Sequence, residues 1–382
     1  MKKHLIAAAT AAMLAAPAFA LPLDKGDLFV YRVGTGAGSL SSAATAVFID
    51  EYSTAGTLVQ SIAMPTAVVG ASGRLTASGT ASSEGGLTLS ADQQFLVLTG
   101  YNAATGTAGV ASTTSANVNR TIGTVALNGS INTTTLLRDA PSGNNIRSAA
   151  SVDGQEFWVA GAAGGLRYTT LGATTGTQLS TTVSNVRNVQ IFGGQLYVSD
   201  SSGSTVRLGT VGSGLPTTAG QIITNLPGFA TSTGSPYSYF FADLSKSVAG
   251  LDTLYVSDDA AGITKYGFDG TSWASKGTVG TAADTYRGLT GSVSASGVVS
   301  LFATGLGGTG ATGGGKLVSL IDASGAGGSF ASSVTLLATA SANTAFRGVV
   351  YLPAAAVPEP STYALLMAGL GLIGVAARRR RR

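Results

Sequence analysis

The chain has 382 residues, a formal net charge of +4, 54 glycines, no cysteine and one histidine. That histidine, His4, and two lysines lie in the first 20 residues, and five arginines end the chain, so residues 21–357 carry 15 basic and 17 acidic side chains. Such a segment excludes a Ser-His-Asp triad, a Cys-His pair, a His-ligated metal site and disulfides, and without a basic stripe it lacks the electrostatic footprint of a nucleic-acid binder.

Residues 1–20 read as a secretory signal peptide, expected to form a short signal helix. Lys2 and Lys3 give a positive start, residues 5–14 an apolar run, and Pro17-Ala18-Phe19-Ala20 a small-residue cleavage site. The expected partners of this segment are the Sec translocon and signal peptidase, and cleavage leaves Leu21 first.

Residues 21–353 form the body. Helical periodicity is absent there, and short apolar runs bounded by Gly, Asn, Asp and Ser turns predict an all-β fold. Runs at 28–31, 95–98, 157–160, 196–200, 254–258 and 301–304 each follow a turn or an earlier strand, and two further strands usually follow. In one unit these are 263–268 and 273–279, in another 316–321 and 333–338. Four strands per unit is the composition of a propeller blade.

The body therefore resembles a β-propeller, and the resemblance implies about six four-stranded blades. The first unit lacks its first strand, and residues 346–352 supply one from the far end of the chain, closing the ring and removing its open edges. Anchor spacings of 67, 62, 39, 58 and 47 residues are less regular than the roughly 40–50 of strict propeller repeats, so the long intervals imply loop insertions or hide a seventh blade. A β-solenoid of adhesin type is the alternative, though its shorter, stricter period is not seen. Residues 303–315, dense in glycine, read as a flexible loop.

Four arginines recur early in predicted first strands: Arg147, Arg187, Arg287 and Arg347. In a propeller that strand lines the central channel, so the four would form an anion-attracting mouth with the fork geometry that suits carboxylates and sulfates. The plainer alternative pairs each with a nearby Asp or carbonyl. Asp200, Asp258 and Asp259 end predicted strands and are weak Ca²⁺ candidates, with turn formation as the alternative. No other cofactor is indicated. Trp158, Tyr197, Tyr255 and Tyr266 have the chemistry to stack on sugars, but they lie inside strand patterns, which predicts packing.

The C-terminal segment 354–382 has three parts. Val357-Pro358-Glu359-Pro360-Ser361 is followed by an apolar stretch, 362–377, and by Arg378 to Arg382. The two prolines keep the motif extended, and the apolar stretch is at the short end of a membrane span. The arginines stay cytoplasmic by the positive-inside rule, which places the body outside. This tail resembles the PEP-CTERM sorting signal. The resemblance implies recognition by an exosortase, a membrane helix before processing, and later delivery to the outer envelope, the cell surface or the medium. It also implies a bacterium that makes exopolysaccharide.

The combined expectation is an exported envelope or surface protein, a non-catalytic binding or matrix protein associated with exopolysaccharide. The alternatives are a secreted propeller enzyme, either a lactonase-like hydrolase or a polysaccharide lyase, and a solenoid adhesin. The missing His and Cys argue against turnover.

Overall fold

A computed structural model of the chain describes residues 21–354. The signal peptide, the sorting motif, the apolar stretch and the basic tail lie outside the described residues. Among the described residues no helix is long and apolar enough to cross a membrane. The body is all-β with a propeller-like arrangement of antiparallel sheets.

The central part of the chain forms four separate four-stranded sheets in sequence order. Their first strands are Ile146–Ala150, Val186–Phe192, Pro236–Ala242 and Gly288–Val293. Their second strands are Glu156–Gly161, Gln195–Asp200, Thr253–Asp258 and Val299–Gly305, where the sequence places its apolar runs.

The remaining strands join in one ten-stranded sheet. It contains two four-strand meanders. One is Leu87–Leu89, Phe95–Tyr101, Arg120–Ala126 and Ile131–Leu137. The other is Thr344–Tyr351, Leu28–Val33, Ala44–Tyr52 and Leu58–Ala63. Thr76–Ser78 welds the two by pairing with Ala44–Tyr52 and Phe95–Tyr101. The hydrogen-bonded sheets therefore differ from an expectation of six independent blades. Residues 64–86, a long insertion, supply the extra strand.

The C-terminal strand is in register with the first one. Leu28 opposes Tyr351, Phe29 opposes Val350 and Val30 opposes Val349. Residues 303–315 are less irregular than their glycine content suggests. Residues 303–305 belong to Val299–Gly305, and Gly313–Gly314 pairs in parallel with Thr344 and Ala345.

The second strands lack the alternation of a half-exposed strand because they are covered on both faces. In Phe95–Tyr101 six of the seven residues are buried, whereas the outermost strand Thr335–Thr339 has none buried. Apolar clusters fill the space between successive meanders. Val97, Tyr101 and Ile122 meet Ala149, Phe157 and Val159; farther along, Leu208 meets Tyr239, Phe241 and Leu254. The last cluster packs Phe302 and Leu317 on Leu28, Val30 and Phe346 and so returns to the start of the chain.

The closing strand therefore holds two sheet faces at once. Phe346→Ala should cost about 3–5 kcal/mol through lost burial and a cavity. Leu336→Ala, on the exposed outer strand, should fall within about 0.5 kcal/mol of wild type. Urea unfolding followed by tryptophan fluorescence measures both. Equal midpoints for Phe346→Ala and wild type would remove Thr344–Tyr351 from the core.

Candidate functional site

The first strands of the meanders contact one another in turn around a central channel. Near its start, each presents a two-residue step: Gly85-Gly86, Arg147-Ser148, Arg187-Asn188, Tyr237-Ser238, Arg287-Gly288 and Arg347-Gly348. Hydrogen bonds link these steps from strand to strand. Gly348 N donates to Gly85 O at 2.9 Å, Gly86 N to Arg147 O at 2.8 Å, and Ser238 N to Arg287 O at 3.3 Å. Asn188 Nδ2 donates to Ser238 Oγ at 3.0 Å.

The second residue of each step is small or short because the strands nearly touch. A Cβ on Gly348 would lie 2.5 Å from Leu87 N and 2.6 Å from Gly85 O, and one on Gly86 would lie 2.7 Å from the Ser148 Cβ. The first residue is a large side chain on five of the six strands; at Gly85 a Cβ would lie 2.8 Å from the Arg347 Cβ. Arg147, Arg187, Arg287 and Arg347 all line one pocket there, with Tyr237 and Glu84. The cavity has a volume of about 30 Å³, room for one or two water-sized groups.

The four guanidinium groups are held differently. Arg287 pairs with Asp259 at 2.8 Å and donates to Ser82 Oγ. Arg187 donates to Ser201 Oγ at 2.8 Å and to the Tyr237 hydroxyl. The Tyr237 ring has Arg187 4.5 Å and Arg287 4.7 Å from its centroid, both within cation–π range. Arg147 donates to Asn185 Oδ1 at 2.5 Å and Val186 O at 3.1 Å. Arg347 donates to Gly79 O at 3.1 Å and Phe346 O at 3.3 Å.

Arg147 and Arg347 are only 6 % and 4 % exposed, and the Nε of each is buried without a hydrogen-bond partner among the described residues. Of the four, only Arg287 has a carboxylate partner among the described residues. Burial, then the neighbouring Arg187, pushes Arg147 down to about 9. Burial pushes Arg347 down to about 10, with Glu84 opposing the shift and Arg287 adding to it. Arg187 is lowered by burial and by Arg287. All of these groups stay protonated at neutral pH; burial is the main cause of each lowered value, and repulsion from a neighbouring arginine adds to it.

Glu84 is the acidic group of this mouth. Its carboxylate accepts from Ser78 N at 3.0 Å, Asn145 Nδ2 at 2.6 Å and the Tyr101 hydroxyl, and burial pushes its own pKa up. Sequence reasoning missed both Glu84 and Tyr237. The signal that finds them is the aligned step: Tyr237 stands where other strands have Arg, and Glu84 precedes Gly85-Gly86.

The three aspartates do not come together. Asp200 accepts from Ser202 N at 2.8 Å, Asp258 from Ala260 N at 2.7 Å and Ser235 N at 2.9 Å, and Asp259 holds Arg287. The carboxylates that do gather are those of Asp24, Asp27 and Glu51, away from the arginines. Glu51 is already bonded there to Asp24 N at 2.7 Å and Gln60 Nε2 at 2.6 Å. Trp158 and Tyr255 are buried in the core, Trp158 donating to Pro216 O at 2.7 Å and Tyr255 to Asp322 at 2.6 Å. Tyr197 and Tyr266 are half-buried against Phe241 and Phe229. The four aromatic residues are packing groups.

Residues 356–382 match the PEP-CTERM protein-sorting motif. No curated protein sequence matches the chain. Among solved structures, a candidate 6-phosphogluconolactonase from Bacteroides uniformis is similar at 13% identity and a TM-score of 0.42, over 82% of each chain. A chain of a nidogen/laminin complex is similar at 11% identity and a TM-score of 0.45, over 85% of this chain and 98% of that one. The extracellular domain of a candidate one-component system from B. thetaiotaomicron is similar at 12% identity and a TM-score of 0.36, over 78% of this chain and 32% of that one. The chain thus carries a PEP-CTERM signal, which implies exosortase processing, export and surface sorting.

Proposed function

We propose that this is an exosortase-sorted surface protein whose body is a six-bladed propeller closed by its C-terminal strand, and that it binds acidic groups of an exopolysaccharide without turning them over. The observation that carries the reading is the convergence of Arg147, Arg187, Arg287 and Arg347 on one mouth, three of them without an acidic partner among the described residues. Arginine forks suit carboxylate and sulfate oxygens. A cavity of about 30 Å³ is too small for a sugar ring, so the acidic substituent enters and the ring stays outside. The body lacks His and Cys, so binding is better supported than hydrolysis. The signal peptide and the tail helix supply export through Sec and a membrane-held stage before processing.

Anion binding is tested by thermal unfolding of the wild type and an Arg187→Ala, Arg287→Ala double variant. Each is melted with sulfate, a uronate oligosaccharide and a neutral oligosaccharide. Ligand at about 100 times its Kd stabilises a folded state by about 2.7 kcal/mol. A rise of several degrees is expected for the wild type with the two acidic ligands only, and a much smaller one for the double variant. Equal shifts with the neutral sugar, or in the double variant, would remove the site. An unsaturated uronate product would make the protein a lyase.

The sorting reading has its own test. Alanines in place of Pro358-Glu359-Pro360 should leave export intact and stop C-terminal processing. Intact mass of envelope-extracted protein measures this, and a full tail on the mature wild-type protein would overturn it.

A further inference from the structure

Each first strand runs from the arginine mouth to the opposite mouth of the channel. In Thr344–Tyr351, Arg347 lies at the first mouth, and Val350 and Tyr351 line the second. That second mouth is a cavity of about 210 Å³, walled by Leu87, Leu89, Phe192 and Phe240 and bounded by Pro353. The chain leaves the body here. Its other end is beside it, since Gly26 N donates to Leu352 O at 2.7 Å and Leu352 N to Asp27 O at 3.0 Å.

The tether that follows is short. Pro353 and Thr362, where the apolar stretch of the tail begins, are nine residues apart in the sequence, which span at most about 32 Å when fully extended. A compact domain of this size has a radius of gyration of about 20 Å and is about 50 Å across. A path from the second mouth around the outside to the arginine mouth is therefore about twice what the tether reaches.

From this geometry we infer that, in the membrane-held stage before processing, the body stands with its tail-side mouth toward the bilayer and its arginine mouth away from it. The inference rests on the proposed membrane anchor. Charge does not set the orientation. Asp24, Asp92, Asp153 and Asp243 are exposed on loops of the tail-side face beside two exposed lysines, Lys25 and Lys246, and an anionic bilayer repels the acidic excess. The tether overrides that repulsion, and the arginine mouth is presented to the surrounding matrix while the protein is still attached.

The chain lacks cysteine, so one introduced thiol is a unique label. Ser247→Cys places it on the exposed tail-side loop after Asp243, and Ser232→Cys on the exposed loop leading to Pro236 at the arginine mouth. The full chain in proteoliposomes is labelled with a donor dye, and energy transfer to an acceptor lipid is measured. Transfer from the Ser247→Cys label should be several-fold greater. Equal or reversed transfer in protein that floats with the vesicles overturns the orientation alone. Failure to float overturns the anchor, and the orientation with it.

Discussion

The pairing of Leu28–Val33 with Thr344–Tyr351 is the constraint on which the rest of this protein depends. It joins the two ends of the body, and it abolishes the open edge that Leu28–Val33 would otherwise expose. It also seats Arg347 at the arginine mouth and sends the chain out at the other mouth. Seven of the eight residues of the closing strand are buried. Its cost in loop-closure entropy grows only slowly with the length of chain between the paired strands. The apolar contacts of Phe346, Val349 and Val350 offset it.

Against this frame, the buried cations divide into two kinds. Arg120 and Lys265 are both fully buried and well satisfied. Arg120 donates to Pro141 O at 2.8 Å, to Val118 O at 2.6 Å and to Thr113 O at 2.5 Å. Lys265 meets Asp322 at 2.7 Å and Ser324 Oγ at 2.8 Å. These groups brace one strand or loop against the next. Arg147 and Arg347 are nearly as buried, but each leaves Nε without a partner among the described residues. An unsatisfied buried donor costs roughly 1–3 kcal/mol. Arg207, also 6 % exposed, leaves its Nε without a partner too but lies away from this pocket, so what sets Arg147 and Arg347 apart is their convergence with Arg187 and Arg287 on one mouth.

Much of this organisation is legible in the sequence, and the reason is burial. The second strands read as continuous apolar runs because neighbouring sheets cover both faces, so 95–98, 157–160 and 254–258 stand out among Gly and Ser turns. First strands are harder to see. Gly, Ser or Asn interrupts their apolar residues where they crowd the channel, as in Ile146–Ala150 and Gly288–Val293, and Leu87–Leu89 is only three residues long. The four arginines were visible because the side chain is rare here. Gly85 and Tyr237, which complete the ring, carry no charge to mark them. Thr76–Ser78 welds two meanders that the repeat pattern treats as separate, because it belongs to an insertion outside the repeat.

The small residue after each arginine explains why charge collects at this mouth and not deeper in the channel. Gly86, Ser148, Asn188, Ser238, Gly288 and Gly348 let neighbouring backbones approach within hydrogen-bond distance. The residue one position earlier lends its carbonyl to these contacts and, at four of the six strands, carries an arginine that lines the pocket. Arg347 and Arg147 each satisfy part of the fork on backbone carbonyls, Gly79 O and Val186 O. Four guanidinium groups face three nearby carboxylates, Asp259, Glu84 and Asp200, and burial disfavours charge on Glu84 and Asp200. The positive excess is therefore at least one charge, and mutual repulsion among the arginines falls when an anion enters. An anion such as sulfate, or a carboxylate of a uronate chain at the rim, offsets that excess where a neutral sugar does not.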